Sequence, residues 1–146
     1  MSVKCFVDTN ILVYARDASE PARQALAMAL MQRLWESRSG RTSLQVLSEY
    51  YVTVTRKLTP GLAPALAWAD VEALLAWDPC PIDRALLEKA HDVETRYAFS
   101  WWDSLIVAAA HVCGCDILFT EDLQDGRVVA GVRIVNPFMT KLDDLL

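Results

Sequence analysis

The sequence has no apolar run long enough to cross a membrane. Its longest such run lies between Asp103 and His111, well short of the roughly 20 residues that a spanning helix needs. The stretch MSVKCFVDTN also lacks the basic-then-apolar order of a secretory signal. We therefore expect a cytoplasmic protein with no membrane association.

Positive charge and histidine are also scarce. There are 14 Lys and Arg against 19 Asp and Glu, so the formal net charge is −5. A surface that coats nucleic acid normally has a basic excess, so any nucleic-acid role must come from a local site.

The two histidines, His91 and His111, do not lie beside a distinctive nucleophile in the sequence, which gives a Ser/His/Asp or Cys/His arrangement little support. The chain also lacks the glycine motifs G-x-x-x-x-G-K-[ST] and G-x-G-x-x-G, which disfavours the nucleotide-binding folds that carry them.

Cysteine is present but does not form a recognisable framework. The four residues are Cys5, Cys80, Cys113 and Cys115, and without signs of secretion we expect them to be reduced. The string HVCGC invites a zinc interpretation, but structural zinc sites use C-x-x-C pairs with a second pair of ligands, which this sequence lacks.

The composition is that of a globular protein. The chain has 146 residues, of which 53% are hydrophobic and 23% charged. This is the size of one domain with a sizeable core, so we expect residues 1–146 to form a single domain.

Short β-prone runs alternate with longer helical patterns. This alternation predicts an α/β sandwich with a mainly parallel central sheet flanked by helices. The predicted strands are 3–7, the short RTS run at 41–43, 116–120 and the VRIVNP run at 132–137; the predicted helices are 21–39, 43–57, 65–77, one after Asp83 and 99–114.

Four carboxylates fall at one edge of this predicted sheet. Asp8 ends the first strand and Asp122 follows the 116–120 strand, while Asp103 begins the helix that leads into that strand. Glu49 lies in the second turn of the helix after RTS. In a parallel sheet the helix starts lie at the same edge as the strand ends, where open α/β sheets bind ligands.

Two of these acids also have an ordinary structural explanation. Ser100 and Asp103 match the S-x-x-[DE] capping pattern of a helix start, and Glu49 fits a solvated polar helix face. Taken together, however, clustered carboxylates repel one another, which either raises the pKa of some members or recruits a cation. Oxygen ligands suit Mg²⁺ or Mn²⁺, and such ions activate water for attack on phosphorus. The pattern therefore favours phosphodiester hydrolysis.

Four segments in order resemble the PIN-domain proteins, and among these the VapC-type toxins of toxin–antitoxin pairs. They are FVDTNILVY, LSEYYVTVTRKL, WWDSLIVAAA and LFTEDLQDG with VRIVNPF. The resemblance implies a PIN-like α/β/α sandwich and a metal-dependent endoribonuclease. It also implies that the metal ligands and catalytic groups are the four acids, with polar support from two further residues. These are Asp8, Glu49, Asp103 and Asp122 as Mg²⁺ or Mn²⁺ ligands, with Asn10 and Thr120 as support.

The resemblance further implies an RNA substrate, a cognate antitoxin and a homodimer. Trp68 and Trp77 are candidates for a partner surface, although core packing explains them equally well. The candidates for phosphate contacts are Arg16, Arg56 and Lys57. Glu121 and Asp125 lie near Asp122 and make the assignment of the fourth acid ambiguous, and we interpret both as solvated loop acids. A housekeeping PIN nuclease and a non-catalytic PIN-like binding module remain the alternatives.

Overall fold

A five-stranded, mostly parallel sheet lies at the centre of the computed structural model, which describes residues 3–146. The strands are β1 (Cys5–Val7), β2 (Gly40–Arg41), β3 (Ile117–Phe119), β4 (Val128–Val129) and β5 (Val132–Val135). The strand order is β2-β1-β3-β5-β4, and the β4–β5 pair is antiparallel while the other neighbours are parallel. The central strands β1 and β3 are wholly apolar and buried, as expected when helices cover both faces of a parallel sheet.

The predicted helices are present with small shifts at their ends. Pro21 opens the second helix, and Ser43, Asp83 and Ser100 each cap a helix by accepting a hydrogen bond from a backbone N–H. None of the helices within residues 3–146 is long and apolar enough to cross a membrane. The helices are α1 (Thr9–Tyr14), α2 (Pro21–Ser37), α3 (Leu44–Val52), α4 (Pro64–Leu74), α5 (Arg84–Tyr97) and α6 (Trp101–Val112).

Several helices end differently from the sequence prediction. The helix predicted to reach Lys57 widens into a π-helical turn at Thr53–Lys57, and α4 tightens into a 3₁₀ turn at Leu75–Trp77. The helix predicted to run to Ser39 ends at Ser37, because Arg38 adopts a left-handed conformation. The chain therefore turns into β2 earlier than predicted.

The helix α1 and the strand β4 were not predicted from the sequence. Asp, Thr and Asn favour caps and turns, and Asp8 is indeed the N-cap of α1, but Thr9 and Asn10 begin a helix that the sequence did not indicate. The segment before the last strand contains β4, which forms a two-residue antiparallel ladder with β5. These elements are too short for hydrophobic periodicity to reveal.

The helix α6 forms the buried platform behind the sheet. Seven consecutive residues, Ser104–Ala110, are buried, which agrees with its uniformly apolar sequence. The largest fully buried side chains of the core include Phe6 and Phe119 on the two central strands. The buried part of α6 thus begins directly after Asp103.

A tight contact between β2 and Trp77 makes Gly40 necessary. A Cβ atom at Gly40 would lie 2.4 Å from Cη2 of Trp77, whose buried ring also packs on Trp35 at 5.1 Å between centroids. We expect Gly40→Ala to destabilise the fold by about 1–3 kcal/mol through overpacking, measured by urea unfolding. Because the far atoms of the indole ring cause the clash, Gly40→Ala should cost less stability in a Trp77→Phe background. An equal loss of stability in both backgrounds would contradict this explanation.

Candidate functional site

Asp8 is the buried centre of the candidate site. It follows β1 with 7% of its surface exposed; its Oδ1 accepts the backbone N–H of Thr9 at 2.7 Å, and its Oδ2 accepts the Thr120 hydroxyl at 2.8 Å. Burial raises the pKa of Asp8 to about 6, against the effect of these two hydrogen bonds, and the charges of Asp122 and Glu49 raise it further. The ionised carboxylate is therefore short of compensating positive charge.

Pairing between β1 and β3 brings Thr120, and with it Asp122, to Asp8. The N–H of Asp8 donates to the carbonyl of Phe119 at 3.0 Å, so Thr120 lies directly beside Asp8. Asn10 Nδ2 donates both to Thr120 Oγ1 at 3.2 Å and to Asp122 Oδ2 at 3.0 Å. The backbone N–H of Asp122 also donates to Thr120 Oγ1 at 3.1 Å. Asn10 and Thr120 thus hold Asp122 in place.

Glu49 is drawn into the same network from α3. Its Oε2 accepts the Thr9 hydroxyl at 2.8 Å, and its Oε1 accepts Gln45 Nε2 at 2.9 Å. Because Thr9 also donates its backbone N–H to Asp8, one residue connects two acids. The alternative of a solvated Glu49 on a polar face is therefore wrong.

Asp103 lies outside this hydrogen-bonded network. Its backbone N–H donates to Ser100 Oγ at 3.1 Å, which confirms the predicted cap. Among residues 3–146 its half-buried carboxylate has no hydrogen-bond partner. Within the same residues, no three Asp, Glu, His or Cys side chains are assembled as a metal-ligand group. The structure thus joins Asp8, Glu49 and Asp122 and leaves Asp103 apart.

Comparison of the sequence with protein-family models assigns the chain to a family. The family model for the PIN domain matches residues 5–129. The chain is a member of the PIN domain family. No curated protein matches it.

Two solved structures are similar to this PIN domain. One is a toxin–antitoxin complex from Klebsiella pneumoniae, with 18% identity, a TM-score of 0.67, and coverage of 92% of this chain and 98% of that chain. The other is VapC20 of Mycobacterium tuberculosis, a sarcin–ricin loop cleaving toxin, with 22% identity, a TM-score of 0.59, and coverage of 82% of this chain and 90% of that chain. At these identities the likeness establishes the fold.

The donor atoms near Asp8 are carboxylate and amide oxygens. These are the atom types that Mg²⁺ and Mn²⁺ prefer as ligands. Two buried oxygens near these acids in sequence, Asn10 Oδ1 and Ser104 Oγ, have no hydrogen-bond partner in the described part of the chain. A buried oxygen without a donor is costly unless water or a cation approaches it.

The other loop acids have structural partners. Glu121 accepts hydrogen bonds from the Tyr14 hydroxyl and from Arg23 Nη1, both at 2.6 Å. Asp125 accepts the backbone N–H of Asn136 at 2.8 Å. Our interpretation of the two acids as freely solvated is therefore wrong, because both are half-buried and hydrogen-bonded.

The candidate phosphate-binding cations divide into two groups. Arg16 is engaged by Asp70, with Nε and Nη2 donating to its two carboxylate oxygens at 2.9 and 2.7 Å. Arg56 and Lys57 are exposed in the π-helical turn. Among residues 3–146 neither of these two forms an ion pair, so they are the freer candidates.

Sequence reasoning missed Thr9 and Gln45 as supporting residues. Gln45 is four positions before Glu49 on α3, a spacing that places side chains together on a helix. That spacing was a usable signal. The hydroxyl of Thr9 reaches Glu49 only through the tertiary fold, so no local pattern indicates it.

Proposed function

We propose that this PIN domain is a metal-dependent endoribonuclease that acts as the toxin of a toxin–antitoxin pair. The observation that carries the proposal is the hydrogen-bonded set of Asp8, Glu49 and Asp122 around a desolvated carboxylate. Support comes from the described activities of the similar structures, a sarcin–ricin loop cleaving toxin and a toxin–antitoxin complex.

The four acids would hold Mg²⁺ or Mn²⁺, with Asp8 and Asp103 as central ligands and Glu49 and Asp122 completing the site directly or through water. When bound, the metal supplies Lewis-acid activation of water and of the phosphodiester. The protein's own contribution is positioning. Thr120 and Thr9 fix Asp8, and Thr9 and Gln45 fix Glu49, so the orientation of these two carboxylates is set by the fold.

The proposal includes an antitoxin, a homodimer and a cytoplasmic location. Trp68 on α4 is 51% exposed and lies beside Leu44 and Leu75, which are also exposed. Such a patch supports a protein partner on this face. Trp77, in contrast, is 6% exposed and belongs to the core, so its role as a surface residue is excluded.

Cleavage of total RNA tests the proposed activity. The purified protein should cut RNA at defined sites with Mg²⁺ or Mn²⁺, and EDTA should stop it. End-mapping of the fragments identifies the target. Cleavage that persists in EDTA would contradict the metal requirement. Metal-dependent cleavage unaffected by a purified antitoxin encoded beside the protein would favour a housekeeping nuclease, whereas RNA binding without cleavage would indicate a binding module.

A further inference from the structure

A cationic cleft lies at the edge of the sheet opposite the carboxylates. It has a volume of about 740 Å³ and is lined by residues that precede β1, surround β2, connect α4 to α5 and end α6. The acids instead follow strand ends and occupy a helix start. The cleft is therefore separate from the candidate nuclease site.

Two of the four cysteines line this cleft. Cys113 is half-buried at the C-terminal end of α6, and Cys80 is buried in the segment between α4 and α5. Contact with the Cys80 side chain and the charge of Arg41 lower the pKa of Cys113 despite its burial. The Cys80 thiol itself donates to the Pro81 carbonyl at 3.8 Å. Cys113 is thus the more accessible thiol of the two and lies near a cation, as a reactive cysteine requires.

The other cysteines have the opposite character. Cys5 and Cys115 are buried, and burial raises the pKa of each to about 12. They are expected to stay protonated and unreactive. Reactivity is therefore confined to the pair in the cleft, and Cys115 offers a control within the same protein.

The charge of the cleft favours an anionic reactant. Lys4, Arg38 and Arg41 line it against one acid, Asp78. Arg41 Nη1 donates to the carbonyls of Arg38 at 3.2 Å and Gly40 at 2.7 Å, which fixes its guanidinium beside the thiols. A positively charged cleft concentrates anions and speeds their encounter.

We propose that Cys113 and Cys80 form a reversible dithiol–disulfide switch that reacts with small anionic disulfides in this cleft. The Cys113 thiolate attacks one sulfur of the reactant, forms a mixed disulfide and releases one thiolate, which takes up a proton. The Cys80 thiol then loses its proton and attacks the Cys113 sulfur, which releases the second thiol. The protein dithiol is oxidised by two electrons and the small disulfide is reduced to two thiols.

The disulfide would connect two elements that carry site residues. The backbone of Cys80 donates to the Thr42 carbonyl and accepts the Leu44 N–H, both at 3.0 Å, so it is paired with the start of α3. Cys113 is the C-cap of α6. Oxidation therefore ties the start of the helix that bears Glu49 to the end of the helix that bears Asp103.

The test exposes the reduced full-length protein to oxidised glutathione, an anionic disulfide, and to cystamine, a cationic one, at equal concentration and low salt. Intact-mass spectrometry follows oxidation, and peptide mapping without reductant locates the bridge. We expect a Cys80–Cys113 disulfide, a higher Tm of the oxidised form and reaction roughly tenfold faster with oxidised glutathione. Arg38→Asn, which suits the left-handed conformation, should reduce that preference.

Variants separate the two thiols. Cys113→Ser should block both the mixed disulfide and the bridge, Cys80→Ser should trap the mixed disulfide on Cys113, and Cys115→Ala should react as wild type. If the wild-type protein forms no Cys80–Cys113 bridge after exposure to oxidised glutathione, the proposal is overturned. This outcome does not depend on whether the variants fold. Equal or faster reaction with cystamine would overturn the assignment of an anionic reactant.

Discussion

Replacing Asp8 with asparagine is expected to stabilise the metal-free protein at pH 8 while abolishing RNA cleavage. The folded-state pKa of about 6 lies above the ordinary value of 3.8, so the folded protein binds the proton more tightly than the unfolded chain. The stability contributed by that proton is present at low pH and is lost as the pH rises through 6. The difference between the two pKa values corresponds to about 3 kcal/mol of unfolding free energy.

Asparagine removes the buried charge and keeps one of the two hydrogen bonds of Asp8. Its Oδ1 can still accept the Thr9 N–H, but the Thr120 hydroxyl, which already accepts hydrogen bonds from Asn10 and Asp122, loses the acceptor that Asp8 provides. We expect metal-free Asp8→Asn to be about 1–3 kcal/mol more stable than wild type at pH 8, which raises Tm by about 2–4 °C per kcal/mol. The difference should vanish toward pH 4. Thermal unfolding with EDTA across this range measures it.

The loss of activity should accompany this gain in stability. Removal of a metal ligand is expected to lower cleavage by at least about 10²-fold, and Mg²⁺ should raise the Tm of wild type but not of Asp8→Asn. Asp78→Asn is the matched control, because it removes one exposed acid near the opposite edge. Undiminished cleavage by Asp8→Asn would contradict its assignment as a ligand. A pH-independent difference in Tm would contradict a buried charge as the cause.

The sequence was sufficient to predict the edge of the sheet at which Asp8 and Thr120 lie. Asp8 and Thr120 follow apolar strands, CFV and ILF, which the structure pairs in parallel with Val7 opposite Phe119. Burial on both faces makes such strands visible as short apolar runs. The position of a side chain just after each strand therefore follows from the fold class alone.

The connections between the acids could not be predicted in the same way. Thr9 joins Asp8 to Glu49 across 40 positions of sequence, and this contact depends on α1, a six-residue helix that hydrophobic periodicity does not reveal. Asn10 likewise reaches Asp122 from α1. Local patterns identify which residue types are available, whereas tertiary packing decides which of them touch.

Asp103 and Ser100 allow the capping role and the catalytic role to be separated. The cap is made by the Ser100 hydroxyl and the backbone N–H of Asp103, so it does not require the Asp103 carboxylate. Asp103→Asn should therefore keep the cap and lose only the interaction with the helix dipole, about 0.3–1 kcal/mol. Because Asp103 is proposed as a central metal ligand, however, it should be needed for cleavage, and the variant should lose at least about 10²-fold in activity.

Ser100→Ala should show the reverse pattern. Loss of the cap is expected to destabilise the fold by about 1 kcal/mol, while the Asp103 carboxylate is retained and cleavage continues at temperatures well below Tm. Cleavage assays, Mg²⁺ titration by calorimetry and thermal unfolding on both variants give the comparison. If Asp103→Asn cleaves RNA and binds Mg²⁺ as wild type does, the first turn of α6 contributes only to helix stability. The centre would then consist of the Asp8, Glu49 and Asp122 network alone.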